Sequence, residues 1–115
     1  MEKFLVLYMA PASVIAEWMK TDPDTRKAAE EKMKGKWQEW MKKYEGQVIE
    51  TAGAGKDKRI TSEGITDATN DVMMYSLVEA ESQDAAATLF EGHPHLGIPQ
   101  AWIEVMPANA LPVGA

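Results

Sequence analysis

The chain has 115 residues, of which 45% are hydrophobic and 26% charged, and its formal net charge is −6. This size fits one compact domain with a real hydrophobic core, and the negative charge disfavours a protein that binds nucleic-acid phosphates. The sequence contains no cysteine, which excludes disulfides and thiolate chemistry.

Hydrophobic runs in the sequence are short. None reaches the length needed to cross a membrane, and the apolar N-terminal run, 4–9, is too short for an export signal. We therefore expect a cytoplasmic protein that has no membrane among its partners.

The N-terminal half predicts one strand followed by two helices. The continuous apolar run Phe4–Met9 has the length of a strand, and apolar residues on both of its faces indicate a central position in a sheet. A short helix follows Pro11, and the segment 21–24 ends it. Either Thr21 or Asp22 can cap a second helix, which is predicted over Pro23–Tyr44, because proline suits the first turn of a helix.

Three of the four tryptophans lie on these helices, at positions 18, 37 and 40. Trp37 and Trp40 fall on one apolar face of the second helix together with Met33, Met41 and Tyr44. Aromatic packing against a sheet explains this pattern, and ligand stacking is the alternative.

The C-terminal half predicts short strands at 48–51 and 59–62, a long strand at 71–80, a helix capped near Ser82 and a last strand at 102–106. Residues 108–115 are predicted to form a loose tail after a single domain spanning 1–107. The loop containing Gly53-Ala-Gly-Lys56 lacks the spacing of a phosphate-binding loop, since Asp57 stands where Ser or Thr is required. No other cofactor motif is present.

The order of these elements is β-α-β-β-α-β, which predicts an α+β fold of the ferredoxin-like type. Helices then cover one face of an antiparallel sheet. The first and the long middle strand are nevertheless apolar on both faces, and soluble monomers rarely expose such a patch. We therefore expect a two-fold homodimer in which two sheets pack face to face.

Several segments resemble the YCII-related (DGPF-type) proteins of the dimeric α+β barrel superfamily. The similar segments are Tyr75–Ser82, the Asp84–Ala87 helix start, His93–Leu96, Ile103–Val105 and the first strand, Phe4–Tyr8. The resemblance implies a ferredoxin-like protomer, a homodimer and a cleft between sheet and helices. Better-understood relatives include muconolactone isomerase-like and chloromuconolactone dehalogenase-like enzymes.

One branch of that superfamily carries a His–Asp pair proposed as catalytic, and this chain departs from it. The N-terminal half contains no histidine, and Glu63-Gly-Ile-Thr-Asp67 stands where many relatives have a Thr-Asp-Gly-Pro-Phe block. Catalytic roles are therefore not transferred from the family to this chain.

The two histidines, His93 and His95, flank Pro94, which favours extended backbone at His93. Their side chains are expected to diverge, so that binding of one metal ion by both imidazoles is strained. Only Glu91 or Glu104 is near enough in the sequence to be a third ligand. We interpret His93 as a residue that caps the C-terminus of the preceding helix. His95 is a candidate general acid or base because imidazole titrates near neutral pH.

Glu104 is the other candidate for chemistry, because it lies between the large apolar residues Trp102 and Met106 on one face of the last strand. Such a carboxylate is either paired or has a raised pKa. An ion pair with Lys58 or Arg59 across the dimer is the structural alternative. Tyr75, on the long strand, either offers its hydroxyl to a ligand or belongs to the core.

These observations lead to two main hypotheses. The first is a small-molecule enzyme, of isomerase or lyase type, that uses His95, Glu104 and Tyr75 for general acid/base chemistry on a small organic ligand and needs no cofactor or metal. The second is a non-catalytic homodimeric module that binds a ligand or assists another enzyme. A metal site built on His93 and His95 is a third.

Overall fold

The computed structural model describes residues 1–112. Its elements in chain order are β1 (Glu2–Met9), α1 (Ala12–Trp18), α2 (Pro23–Lys43), β2 (Val48–Gly53), β3 (Asp57–Thr61), β4 (Gly64–Ala68), β5 (Val72–Ala80), α3 (Gln83–Leu89), a 3-10 turn (Pro94–Gly97) and β6 (Trp102–Pro107). Among these residues no helix is both long enough and apolar enough to cross a membrane.

The main sheet has the strand order β2-β5-β1-β6, and all its neighbours are antiparallel. This is the order of a ferredoxin-like fold, and it confirms the α+β prediction. The first strand is central, as its two apolar faces indicated. The shortest dimension of the molecule, 21 Å, matches one layer of helices on one sheet.

The long helix α2 begins where the sequence predicted. Asp22 is its N-cap, with a carboxylate oxygen that accepts a hydrogen bond from the Thr25 backbone N–H at 2.9 Å, and Pro23 is its first residue. Ser82 caps α3 in the same way, through the Ala85 N–H at 3.1 Å. Both caps confirm the predicted helix starts.

The core lies between the sheet and the helices. Phe4, Val6 and Tyr8 project from β1 toward Trp40 of α2 and Phe90 just after α3, and all five are buried. Ser76 and Val78 of β5 continue this buried face, because they pair in register with Val6 and Phe4. The covered face of the sheet is therefore set by the even-numbered residues of β1.

The opposite face of the sheet carries the odd-numbered residues of β1. Leu5 and Leu7 lie there beside Tyr75 and Leu77 of β5 and Met106 of β6, to which they are paired in register. All five are only half-buried, and none belongs to the core cluster. We call this side of the sheet the open face.

The segment between β2 and β5 differs from the prediction. β3 pairs only with β4, a strand that the hydrophobic pattern does not predict, and the two form a separate hairpin. Ile60 and Ile65 pair across this hairpin and are 75% and 69% exposed. The prediction missed β4 because Ile65 is its only large apolar residue, so it has no hydrophobic alternation.

The predicted tail, 108–115, starts one residue after β6. The Ala108 N–H donates a hydrogen bond to the Lys3 carbonyl at 3.0 Å, so the chain remains attached to β1 at this point. The last three residues of the tail, 113–115, lie outside the described residues.

Candidate functional site

A cluster of aromatic rings and two histidines fills the space between β1 and α2. Tyr8 is at its centre, 4.9 Å from Trp37, 5.3 Å from His93 and 5.6 Å from His95 between ring centroids. Trp40 is anchored at the edge of this cluster by its indole N–H, which donates to the Leu89 carbonyl at 3.1 Å. The helical spacing of Trp37 and Trp40 places both rings on the face of α2 that meets the sheet.

The turn after α3 directs the histidines into this cluster. Gly92 has a φ of +69°, in the left-handed region that glycine adopts without strain, and it reverses the chain after the helix. His93 is extended, as Pro94 predicted, and Pro94 begins the 3-10 turn. The backbone therefore returns beneath α2 and buries both imidazoles.

His93 lies between two tryptophans. Its ring centroid is 4.4 Å from that of Trp37 and 4.6 Å from that of Trp40, with the planes steeply inclined in both pairs. Its Nδ1 accepts a hydrogen bond from the His95 backbone N–H at 3.0 Å. An accepting Nδ1 in a neutral imidazole places the proton on Nε2. This Nε2–H is buried and has no hydrogen-bond partner among residues 1–112.

His95 is fully buried and has an unpaired hydrogen-bond acceptor, whereas His93 has an unpaired donor. Its Nε2 is 2.8 Å from the Met9 carbonyl oxygen, which can only accept, so Nε2 carries the proton and donates. The lone pair of Nδ1 then points away from this bond and is unpaired within the described part of the chain. The cluster thus contains one free donor and one free acceptor.

Both histidines are held in the neutral state. Burial, together with the smaller effect of the nearby His95 as a second potential cation, lowers the pKa of His93 to about 4. Burial also lowers the pKa of His95, although the hydrogen bond to the Met9 carbonyl acts in the opposite direction. A neutral imidazole has one free lone pair and one N–H, so at neutral pH it is in the form that a general base or a hydrogen-bond donor requires.

A chain of hydroxyl groups leads out of the cluster. The Tyr8 hydroxyl is 2.8 Å from Oγ of Ser76, which is 2.7 Å from Oγ1 of Thr51 on the edge strand β2. Burial raises the pKa of Tyr8, the bond to Ser76 acts in the opposite direction, and the net pKa is about 12. Tyr8 therefore stays protonated at neutral pH, and the chain joins the buried ring to a half-buried threonine.

Replacing Tyr8 with phenylalanine tests the importance of this chain for stability. We expect the free energy of unfolding to fall by about 1–2 kcal/mol, because the variant loses one buried hydrogen bond while Ser76 keeps its bond to Thr51. Urea unfolding at fixed protein concentration measures the change. Tyr44→Phe is the control, since the Tyr44 hydroxyl makes no hydrogen bond within residues 1–112. Equal losses in the two variants would contradict the prediction.

The structure places the three predicted site residues on two sides of the sheet. Tyr75 and Glu104 both pair in register with Leu7, so they share the open face about 10 Å apart. His95 packs against the covered face, next to Tyr8. The predicted residues therefore form one pair and one separate histidine.

Glu104 has a hydrogen-bond partner. The Trp102 indole Nε1–H donates to its Oε2 at 2.8 Å. Lys58, one of the two expected ion-pair partners, contacts Asp67 within its own hairpin. The partner of Glu104 is therefore the neutral indole N–H of the same protomer, two residues away on the same face of β6.

His93 does not cap α3, contrary to the sequence interpretation. Its ring is 2% exposed and lies under α2, and its Nδ1 instead caps the following 3-10 turn. Nor do the two imidazoles diverge, since both contact Tyr8. The 3-10 turn, which sequence patterns did not predict, brings them to the same side. Among residues 1–112, no three His, Asp or Glu side chains converge on a possible metal position.

Tyr8, Ser76 and Thr51 were not recognised in the sequence as site residues. One feature of the sequence marks Tyr8 as a candidate: its hydroxyl is the one polar group in the alternating residues Phe4, Val6 and Tyr8. Ser76 had another, as a polar residue within an apolar strand. Each hydroxyl needs a buried partner, and the strand register supplies it.

A surface groove of about 470 Å³ lies beside the cluster. One wall comes from α2, with Lys36, Trp40 and Lys43, and the other from the segment 92–97, which includes His93. His93 and Trp40 thus belong to both the buried cluster and the groove.

No protein-family model matches the chain, and no curated protein matches it. A solved structure does resemble it: 5-chloro-2-hydroxyhydroquinone dehydrochlorinase from Burkholderia phenoliruptrix AC1100, in complex with 2,5-dihydroxybenzoquinone, with a TM-score of 0.51. The two are 13% identical, over 95% of this chain and 94% of that one. At this identity the likeness shows the fold alone, and that fold is the α+β, ferredoxin-like one.

Proposed function

We propose that the protein is a small-molecule enzyme that moves protons by general acid/base chemistry, in the manner of an isomerase or lyase, at the histidine cluster under α2. The observation that carries this proposal is the pair of unpaired nitrogens, Nε2–H of His93 and Nδ1 of His95. A buried polar atom without a partner costs about 1–3 kcal/mol, so such atoms are rare in folded proteins, and a catalytic role is one reason for which they are retained.

The roles of the two imidazoles follow from their tautomers. His95 uses the lone pair of Nδ1 to accept a proton from a substrate carbon, while its Nε2–H stays on the Met9 carbonyl. His93 donates a hydrogen bond from Nε2–H to a substrate oxygen on which negative charge develops. The dehydrochlorinase of the same fold supports this proposal, because it acts on a small ring compound.

Tyr75 and Glu104 have a different place in this proposal. They lie on the open face, and we propose that this face meets the same face of a second copy in a homodimer. Both residues then line the space between the two sheets. Any part they play in chemistry is separate from His95, since the sheet lies between them.

The alternative, a non-catalytic homodimeric ligand-binding or accessory module, has one observation in its favour. Trp37, Trp40 and Met74 pack against the core and fill the space between α2 and the sheet. His95 is fully buried, so a substrate can reach it only if the packing around it opens. A module that merely binds ligands in its surface groove needs no such movement.

Exchange of carbon-bound hydrogen for deuterium tests the catalytic proposal. We use 2,5-dihydroxybenzoquinone in D₂O as the probe: a solvent deuteron adds to a ring C–H carbon, the original proton leaves to Nδ1 of His95, and its bonding pair returns to the ring. We expect the protein to accelerate loss of the ring proton signal in NMR. His95→Gln keeps a donor for Met9 but removes the Nδ1 base, and we expect it to lower the catalysed rate by about 10²-fold or more.

Two results would count against this assignment. An equal exchange rate in the wild type and in His95→Gln would exclude His95 as the base. Binding of the probe without accelerated exchange would favour the non-catalytic module. Glu104→Gln serves as the matched carboxylate control, and its rate is expected to stay near that of the wild type because Glu104 lies on the other side of the sheet.

A further inference from the structure

The groove beside His93 has an unusual charge for this protein. Lys36 and Lys43 are seven residues apart on α2, so both project from the same side of the helix, and both line the groove. Glu39 lies between them, but within residues 1–112 neither lysine forms an ion pair with it. The lining therefore has a local excess of positive charge in a chain whose net charge is −6.

Apolar groups and glycine backbone complete the lining of the groove. Pro94 contributes its ring and Trp40 the small part of its indole that is exposed, 9% of the residue, and Gly92 has no side-chain atom within 4 Å of its Cβ position. Its volume of about 470 Å³ lies within the range of small-ligand sites, about 300–1,000 Å³. A planar ring is the shape that such walls accept, because aromatic side chains stack on flat groups.

His93 supplies a second, independent indication of a ligand. It lines the groove, it is 98% buried, and its Nε2–H lacks a hydrogen-bond partner in the described part of the chain. A neutral N–H donor suits a carbonyl or carboxylate oxygen. The two lysines are charge-assisted donors for one anionic, oxygen-bearing ligand, and the buried Nε2–H lies directly behind the groove wall that His93 forms.

We propose that this groove binds small aromatic carboxylates, with the carboxylate on Lys36 and Lys43 and the ring against Trp40 and Pro94. The inference rests on the proposed function, because it makes the groove the entrance to the histidine cluster and names its substrate class. Exposed lysines can attract any anion, so the ring contacts with Trp40 are what select a carboxylate that carries an aromatic ring.

Benzoate is the probe that tests this site, with benzamide as the neutral analogue and inorganic phosphate as an anion without a ring. Titration calorimetry of the full chain measures affinity, and the Trp40 indole N–H signal in NMR reports the position. We expect benzoate to bind at least tenfold more tightly than either analogue and to shift the Trp40 signal. Equal binding of benzamide would overturn the charge argument, and equal binding of phosphate would overturn the ring argument.

Two variants locate the anion contact. Lys36→Gln/Lys43→Gln is expected to weaken benzoate binding by about tenfold or more, since two charge-assisted contacts are lost. Lys32→Gln/Lys34→Gln removes the same charge from the same helix outside the groove lining, and its affinity is expected to change less than threefold. An equal loss in both double variants would overturn the site, because it would reflect net charge alone.

Failure of this inference is distinguishable from failure of the proposed function. If benzoate does not bind while His95-dependent deuterium exchange persists, the carboxylate groove is wrong and the acid/base site stands. If benzoate binds at Trp40 but no exchange depends on His95, the groove stands as a binding site and the catalytic proposal is wrong.

Discussion

Replacing Leu7 with glutamate is expected to convert the proposed homodimer into a monomer. Leu7 lies at the middle of the open face, between Tyr75 and Glu104 of the neighbouring strands. In a two-fold dimer each substitution occurs twice, so two new carboxylates enter the interface. At about 2 kcal/mol or more for each buried charge, the dissociation constant rises about 10³-fold.

Sedimentation velocity at micromolar concentration measures this change. We expect the wild type to sediment as a dimer and Leu7→Glu as a monomer, with circular dichroism confirming that the variant is folded. Leu111→Glu is the control, because Leu111 is 74% exposed and lies beyond β6. A monomeric wild type would exclude the dimer, and a dimeric Leu7→Glu would exclude the open face as its interface.

The sequence predicted the sheet-forming and helical segments well where hydrophobic periodicity was strong. Apolar residues on both faces of 4–9 required a central strand, and the Asp22-Pro23 pair marked the start of α2. These features depend on residues that are close together in the sequence. They can be read without knowledge of the tertiary structure.

The composition of the site was harder to predict because it depends on register and on one turn. Tyr8 and Tyr75 both lie on apolar strands, and the neighbouring sequence does not determine which of the two side chains faces the helices. The covered face is decided by which residues of β1 meet α2, a tertiary fact. Likewise, the direction that the chain takes after Gly92 determines whether His93 is an exposed cap or a buried ring.

Acidification from pH 7 to pH 5 is expected to lower the free energy of unfolding by roughly 2 kcal/mol through His93 alone. Its pKa in the folded protein is about 4, below the ordinary value of 6.5 that the unfolded chain has. Between these two values the unfolded state binds more protons, so stability falls as the pH is lowered and levels off below about pH 4. The lowered pKa of His95 adds a loss of the same sign.

Urea unfolding at pH 7, 6 and 5, at one protein concentration, measures this dependence. His93→Gln is expected to be less stable than the wild type at pH 7 but to lose less stability by pH 5, because it has no proton to bind in this range. Asp22 does not interfere, since hydrogen bonds from Thr25 lower its pKa below 3.8 and its contribution is lost only in stronger acid. Parallel pH profiles for the two proteins would show that His93 is not held neutral by burial. The roles proposed for the cluster would then lose their basis, because a charged His93 has a proton on Nδ1 and cannot accept the hydrogen bond from the His95 N–H that fixes its tautomer.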